Sequence, residues 1–443
     1  MTRTKYITNL IEEISTKMPI TIEHNQKYRN VFALNRNVAG FNEKIKKMVF
    51  TLVFSKMEGA YVWDLDGNKY IDISMGFGTH LFGHGSNDII NNLKKQMDTG
   101  FGLGPISEIA GITAQQISEL TKVERVSFFN SGTEAIMVAL RLARAFTRKK
   151  KIIVFKNSYH GTFDPLLTLK SDKKSKIGIE SIPGIHDNLL QDTYFLDYGT
   201  DESLEFIKNH HNEIAAVLVE PVQSRNLTLQ PFDYLKELRK ITEEINITLI
   251  FDEMVTGFRI SSGGMQEILN IQADIVTYGK IVGGGMPIGI VAGKSKYLDI
   301  LDGGFWDYKN NSCPQSYTTF VAGTFCHHPL SMIAANTVLK KIKENNGIYT
   351  ELNYRTTKFC NETNEILKSL DINIELINFG SLFRFKLNGT NKLLYYELLK
   401  NGVYVWEGKS CFLSTCHSQS VLDELKDIIV YSAKRIPKNK VSV

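Results

Sequence analysis

Two short apolar runs each end on one charged residue. They are Leu249-Ile250-Phe251-Asp252 and Ile275-Val276-Thr277-Tyr278-Gly279-Lys280. Read as strands, they deliver a carboxylate and an amine at their C-terminal ends. A lysine amine can form a Schiff base with an aldehyde. A carboxylate beside a pyridine nitrogen keeps that nitrogen protonated, so the ring can accept electrons from a substrate carbanion. The pair therefore fits pyridoxal phosphate chemistry, with Lys280 and Asp252 as the reacting set. Either residue alone would read as solvated surface.

Other candidate strand ends carry functional groups too. Asn130-Ser131-Gly132-Thr133-Glu134-Ala135 follows a strand and opens a helix expected over Ala135–Ala145. Free backbone N–H groups and a positive dipole end there suit an anion such as phosphate, with hydroxyls from Ser131 and Thr133. The same residues equally suit an ordinary helix N-cap. Tyr159 and His160 follow the next strand, and an aromatic there can stack on a pyridine ring. His160 is taken as a pocket residue, although a lone histidine is more often structural. Glu220, in Val219-Glu220-Pro221-Val222-Gln223, ends another strand. In open α/β sheets ligands gather at the carboxyl ends of strands. Gly283-Gly284-Gly285 lets the backbone turn tightly after Lys280. Ala322-Gly323-Thr324-Phe325 precedes a helix and is a second candidate phosphate donor.

The elements that must position these groups are short apolar strands separated by helical segments. Candidate strands are Val126–Phe129, Ile152–Phe155, Thr193–Leu196, Ala215–Val219, Thr248–Phe251, Ile275–Tyr278 and Ile288–Ala292. Near-continuous Val/Ile/Phe runs predict strands covered on both faces, hence an α/β domain with a mostly parallel seven-stranded sheet. Residues 60–74 read as a hairpin through Leu65-Asp66-Gly67-Asn68. Residues 1–50 are polar and partly helical by pattern, and a long helix is expected over Leu330–Lys343. With 443 residues, more than one core is expected. The predicted division is an N-terminal segment (1–95), a large domain (96–330) and a C-terminal small domain (331–443).

The chain is 43% hydrophobic and 22% charged, with a formal net charge of +5. That is the balance of a soluble globular protein. The basic run Arg148-Lys149-Lys150-Lys151 lacks aromatic interleaving and reads as a helix C-terminal cap, so no nucleic-acid partner is expected. Five cysteines without a C-x-x-C pair predict free thiols in a reducing compartment. No run approaches the roughly 18 apolar residues of a membrane span, and the N-terminus has no apolar signal core. A cytoplasmic protein is the expectation. No metal site is expected.

Taken as a set, Ser131-Gly132-Thr133-Glu134-Ala135, Tyr159-His160-Gly161, Glu220-Pro221-Val222-Gln223, Asp252-Glu253 and Gly279-Lys280 resemble the class III aminotransferases of pyridoxal phosphate fold type I. The resemblance covers about residues 25–435. Within the class the chain is similar to glutamate-1-semialdehyde aminomutase. It is more similar still to the aminotransferase modules of microcystin- and iturin-type synthetases, through Met75–Gly78, Gly283–Lys294, Ala322–Cys326 and Trp406–Lys409. The resemblance implies roles. Lys280 would hold the cofactor and carry the proton, and Asp252 would pair with the pyridine nitrogen. Tyr159 would cover one ring face and Met254 the other. Gly132 and Thr133 would bind the phosphate. Thr324 would reach the phosphate of a neighbouring subunit, implying a homodimer with shared sites.

For substrates, Arg36 is nearest to an arginine that grips a carboxylate in the aminomutase, although a surface or domain-interface residue is the slightly favoured reading. Phe77 replaces a larger aromatic of the aminomutase pocket. Glu407 matches an acidic residue near that substrate site. The resemblance implies an amino donor, glutamate, and a keto or aldehyde acceptor, with a β-keto acyl thioester on an acyl carrier protein favoured. The alternatives are glutamate-1-semialdehyde aminomutase and, from another class, a non-catalytic cofactor-binding or carrier-docking module.

Overall fold

The computed structural model describes residues 2–35, 41–167, 182–345, 347–387 and 391–437. It divides into two compact units, Met1–Asn87 with Thr350–Val443, and Asp88–Tyr349.

In the first unit the N-terminal fifty residues are more ordered than their polarity suggests. Helix Arg3–Lys17 places Tyr6, Leu10 and Ile14 on one buried stripe at i, i+4, i+8 spacing. The stripe packs with Met18, Met48, Val62 and Tyr70. The following helix, Pro19–Tyr28, begins with proline at its first position. Its cap is distant in sequence: the Asp66 carboxylate accepts Ile20 N–H at 2.7 Å and Thr21 N–H at 2.9 Å. Asp66 belongs to the expected hairpin, which forms as β2 (Tyr61–Asp64) and β3 (Lys69–Asp72). An additional strand, β1 (Phe54–Glu58), pairs antiparallel with β2. Gly67, at φ +82°, is where the hairpin turn needs glycine.

The second unit is built on a seven-stranded sheet. Its strands are β4 (Arg125–Phe129), β5 (Lys151–Phe155), β6 (Thr193–Leu196), β7 (Ile214–Val219), β8 (Thr248–Asp252), β9 (Ile275–Gly279) and β10 (Gly289–Gly293). Every expected strand is present within a residue or so of its expected ends. The order across the sheet is β4-β10-β9-β8-β7-β5-β6. Neighbours from β9 to β6 are parallel, and β10 runs antiparallel to both β9 and β4. Strands β7 to β10 are buried at every residue, which explains their unbroken apolar runs. Each fully buried Leu, Ile or Phe contributes about 1.5–3 kcal/mol. Helix Gly132–Thr147 buries Ile136, Ala139, Leu140 and Ala143 in the same core. Arg148 takes the left-handed cap of that helix. Beyond it the basic run disperses: Lys149 and Lys151 donate to the carbonyls of His211 and Gln191.

The long helix near residue 330 is Pro329–Glu344. It falls in the second unit, so the chain leaves that unit at 349/350 rather than at the expected 330/331. The chain then completes the first unit with β11 (Ile374–Phe379), β12 (Leu382–Leu387), β13 (Val403–Tyr404) and β14 (Cys411–Phe412). β13 pairs parallel with β3, and β12 joins β11 to β14. All five cysteines are free thiols. Among the described residues no helix is long and apolar enough to cross a membrane, and no group of His, Cys, Asp and Glu could hold a metal ion.

Candidate active site

Strands β5, β7, β8 and β9 are consecutive parallel neighbours in the sheet. Their C-terminal ends therefore form one row. Along it lie Tyr159 and His160, Glu220, Asp252 and Lys280, in the order of the strands.

Asp252 ends β8 and is 3% exposed. Its Oδ2 lies 2.7 Å from His160 Nδ1, and its Oδ1 accepts the N–H of Met254 at 3.0 Å. A carboxylate only accepts, so His160 donates from Nδ1. His160 Nε2 is left buried with no hydrogen-bond partner among the described residues. A buried polar atom without a partner is costly, and its presence beside a buried carboxylate marks a place shaped for a polar ligand. His160, which had no evident partner in the sequence, is thus tied to the acidic member of the pair.

Lys280 follows β9 directly. Its backbone is left-handed, at φ +46°, a region that costs a non-glycine residue about 1–2 kcal/mol. Such strain collects at functional sites. Burial pushes its ammonium below the ordinary lysine range, opposed by the charges of Asp252 and Glu220 and reinforced by that of Arg259. A lowered value leaves more of the amine free to attack an aldehyde.

Glu220 organises two loops with one carboxylate. Oε2 accepts Tyr159 N–H at 2.9 Å. Oε1 accepts Ser224 N–H at 3.3 Å and the Ser224 hydroxyl at 2.9 Å. Burial raises the Glu220 carboxyl above its usual range. Gln223, three residues on, donates to the Lys156 carbonyl and the Ser158 hydroxyl. The sequence motif contained Gln223 but gave no sign that it would brace the Tyr159 loop. Glu253, the neighbour of Asp252, turns away from it. It accepts the N–H groups of Met265 and Gln266 and the Thr256 hydroxyl. Burial pushes its carboxyl up to about 7.

At the start of helix Gly132–Thr147, Ser131 is the N-cap, accepting Glu134 N–H at 3.2 Å. Glu134 in turn accepts Asn130 N–H. The Ser131 hydroxyl thus serves the helix, the ordinary reading left open by the sequence. The N–H groups of Gly132 and Thr133 lie in the first turn, where no intrahelical acceptor exists. The Thr133 hydroxyl accepts Thr162 N–H at 3.1 Å, fixing the loop that carries Tyr159. The Met254 sulfur sits 3.0 Å from where a Cβ on Gly132 would lie, and 2.7 Å from one on Gly279. Two glycines therefore make room for the methionine. Gly289 is tighter still: a Cβ would lie 2.0 Å from the Ser131 carbonyl oxygen. Gly289→Ala is expected to cost about 1–3 kcal/mol by overpacking and to loosen cofactor binding by displacing Ser131. Urea midpoints and cofactor titration check this, and an unchanged affinity would separate Gly289 from the phosphate site.

Thr324 is exposed. It lines a cleft of ≈ 500 Å³ with Leu103, Pro105, Phe128 and His327, a lining without Lys280, Asp252 or Tyr159. This cleft is therefore not where the reactive pair lies. Arg36 falls outside the described residues. Phe77 and Glu407 belong to the first unit. Phe77 stands in a left-handed turn, Met75–Gly78, with φ of 44°, 59°, 58° and 90°. Asp72 Oδ1 accepts Ser74 N–H and Met75 N–H, and Asp72 Oδ2 meets His84 Nε2 at 2.7 Å. The Phe77 ring is 4.9 Å from that of Trp406, the residue before Glu407. Two of the four positive-φ residues are not glycine, so composition gave no warning of this turn.

The mixed α/β fold, with its large, mostly parallel seven-stranded sheet, matches that of pyridoxal phosphate fold type I transaminases. The chain belongs to the class-III aminotransferase family, which it matches over residues 42–435. It is 33% identical over 420 residues to glutamate-1-semialdehyde 2,1-aminomutase of Methanococcus maripaludis, covering 90% of this chain and 95% of that one. It is 34% identical over 427 residues to the enzyme of the same name from Methanosphaera stadtmanae, covering 92% and 97%. Among solved structures, an omega-transaminase from Sphaerobacter thermophilus superposes with TM-score 0.84 at 24% identity, covering 94% of this chain and 97% of that one. A glutamate-1-semialdehyde-aminomutase from Pseudomonas aeruginosa PAO1 gives TM-score 0.83 at 17% identity, covering 97% and 98%. The protein is a class III aminotransferase, an enzyme of a pyridoxal-phosphate-dependent family.

Proposed function

We propose that this enzyme moves an amino group from glutamate to a carbonyl acceptor, with a β-keto acyl thioester on a carrier protein as the favoured acceptor. The observation that carries the transfer itself is one juxtaposition. A strained lysine with a lowered ammonium pKa follows β9, and a buried, histidine-braced carboxylate ends the adjacent β8.

When bound, pyridoxal phosphate supplies an aldehyde that takes up amino groups and a ring that withdraws electrons from the carbon losing its proton. Lys280 would hold the cofactor through its amine, and that amine, once freed, would serve as the proton carrier. Asp252, aligned by His160, keeps a proton on the ring nitrogen. Tyr159 covers one ring face, and Met254 packs toward the other. Gly132 and Thr133 offer N–H groups to the phosphate. The buried orphan nitrogen of His160, beside the Asp252 carboxylate, fits a polar group of this kind. An intact Lys280 and Asp252 speak against a module that only binds cofactor or docks a carrier.

The acyl acceptor is supported by the likeness of Gly283–Lys294 and Trp406–Lys409 to synthetase modules. The second reading, glutamate-1-semialdehyde aminomutase, is favoured by the curated relatives that share a third of this sequence. The two differ in the need for a donor. Wild-type enzyme is expected to aminate a β-keto thioester analogue with glutamate and to isomerise glutamate-1-semialdehyde poorly. Efficient isomerisation without added donor would establish the aminomutase instead.

A homodimer with shared sites completes the reading. Phe305, Tyr308 and Phe320 are each 80% or more exposed, an apolar surface suited to a second copy. Thr324 stands on the same stretch. Thr324→Ala is expected to weaken cofactor binding by about 0.5–1.5 kcal/mol, and somewhat more for a bond to a charged phosphate. Mixing Thr324→Ala with Lys280→Ala subunits should raise activity above the Thr324→Ala parent, because one site of each mixed dimer keeps both groups. No gain, with subunit exchange demonstrated, would mean that Thr324 serves its own subunit. Five free thiols fit a cytoplasmic enzyme.

A further inference from the structure

The loop after Glu220 carries an arginine that the motif reading passed over. The Arg225 guanidinium lies 4.8 Å from the centre of the Tyr159 ring. Arg225 is exposed, and among the described residues it has no hydrogen bond or ion pair. The two side chains are set by the same group: Glu220 Oε2 holds Tyr159 N–H, and Glu220 Oε1 holds Ser224, the residue before Arg225. Asn226 N–H closes the turn onto the Gln223 carbonyl at 2.9 Å, and Gln223 is itself tied to the Tyr159 loop. The arginine is therefore placed by the machinery that places the ring-stacking tyrosine, and it is not a free surface cation.

A guanidinium placed over an aromatic ring keeps its N–H donors for other partners. Those donors form a planar fork matched to a carboxylate. We propose that Arg225 is a specificity-determining residue that pairs with the non-reacting carboxylate of a dicarboxylic substrate. The assignment rests on the reading above that Tyr159 covers the cofactor ring, since only then does a ligand on Arg225 lie beside the cofactor. A carboxylate could reach the site on the amino donor or on the acceptor, and the chemistry of recognition is the same for both.

The test uses the cofactor-loaded wild type and the Arg225→Gln and Arg225→Lys variants. Calorimetric titration with glutarate, and with its uncharged diamide, separates charge recognition from shape. Arg225→Gln should weaken glutarate about tenfold or more, leave the diamide and the cofactor absorbance unchanged, and be partly rescued in Arg225→Lys. Single-turnover absorbance with glutamate, and in the reverse sense with succinic semialdehyde, then places the carboxylate on donor or acceptor. Equal glutarate affinity in wild type and Arg225→Gln would overturn the proposal. So would an equal loss for glutarate, diamide and cofactor, which would make Arg225 only a support for Tyr159. If wild-type protein bound no cofactor at all, the reading of Lys280 and Tyr159 would fail first, and the two failures are distinguishable.

Discussion

Replacing Lys280 with alanine is expected to cut turnover ~10³-fold or more, because in the proposed reading one side chain supplies both the nucleophile and the proton carrier. The fold should survive. Lys280 lies just beyond β9, half-buried, and the sheet core is made by Ile275, Val276 and Tyr278. Alanine keeps the left-handed strain at this position, whereas glycine relieves it. Lys280→Gly should therefore be more stable than Lys280→Ala by about 1–2 kcal/mol, read from urea midpoints. The alanine variant should also lose the absorbance of the lysine-bound cofactor. Near-normal turnover, or glycine no better than alanine, would remove the chemical role or the strain respectively.

Asp252→Asn should slow the chemical step by about 10²–10³-fold, the usual effect of deleting one preorganised charge. An amide still accepts from His160 and Met254, so the surroundings should hold. It cannot keep a proton on a facing ring nitrogen. A second effect has a defined sign. The Asp252 charge raises the Lys280 pKa against the larger lowering by burial. Neutralising it lets the ammonium lose its proton at lower pH. The pH at which the amine becomes reactive toward an aldehyde should therefore move down in Asp252→Asn. An unchanged single-turnover rate would sink the electron-sink role, and a shift to higher pH would contradict the electrostatics.

Much of the large unit was legible because its strands are covered on both faces. Burial on two sides forces runs such as Ile214–Val219 and Thr248–Phe251 to be apolar throughout, and only their ends are free to carry chemistry. Asp252 and Lys280 stand out for that reason. What the sequence hid depends on long-range pairing. His160 could not be distinguished from a structural histidine until its partner was known to be 92 residues away. Ser131 satisfied a phosphate motif and a helix cap equally, and the structure uses it as the cap. The pleat separates Asp252 from Glu253, so two adjacent carboxylates have different tasks. The turn at Met75–Gly78 was unreadable because Met75 and Phe77 adopt a backbone that residue type disfavours. Arg225 was missed because its meaning comes from Glu220 and Tyr159 rather than from any spacing. In the N-terminal segment, polarity concealed a narrow stripe of Tyr6, Leu10 and Ile14 that is sufficient to dock a helix.

The central claim is that Lys280 carries the cofactor. Borohydride treatment of the cofactor-loaded protein fixes the cofactor to whichever lysine holds it, and peptide mapping by mass spectrometry then locates it. The phosphopyridoxyl group is expected on the peptide containing Gly279-Lys280-Ile281, and on no other peptide in substantial yield. Modification of a different lysine, with the Lys280 peptide recovered unmodified, would contradict the account.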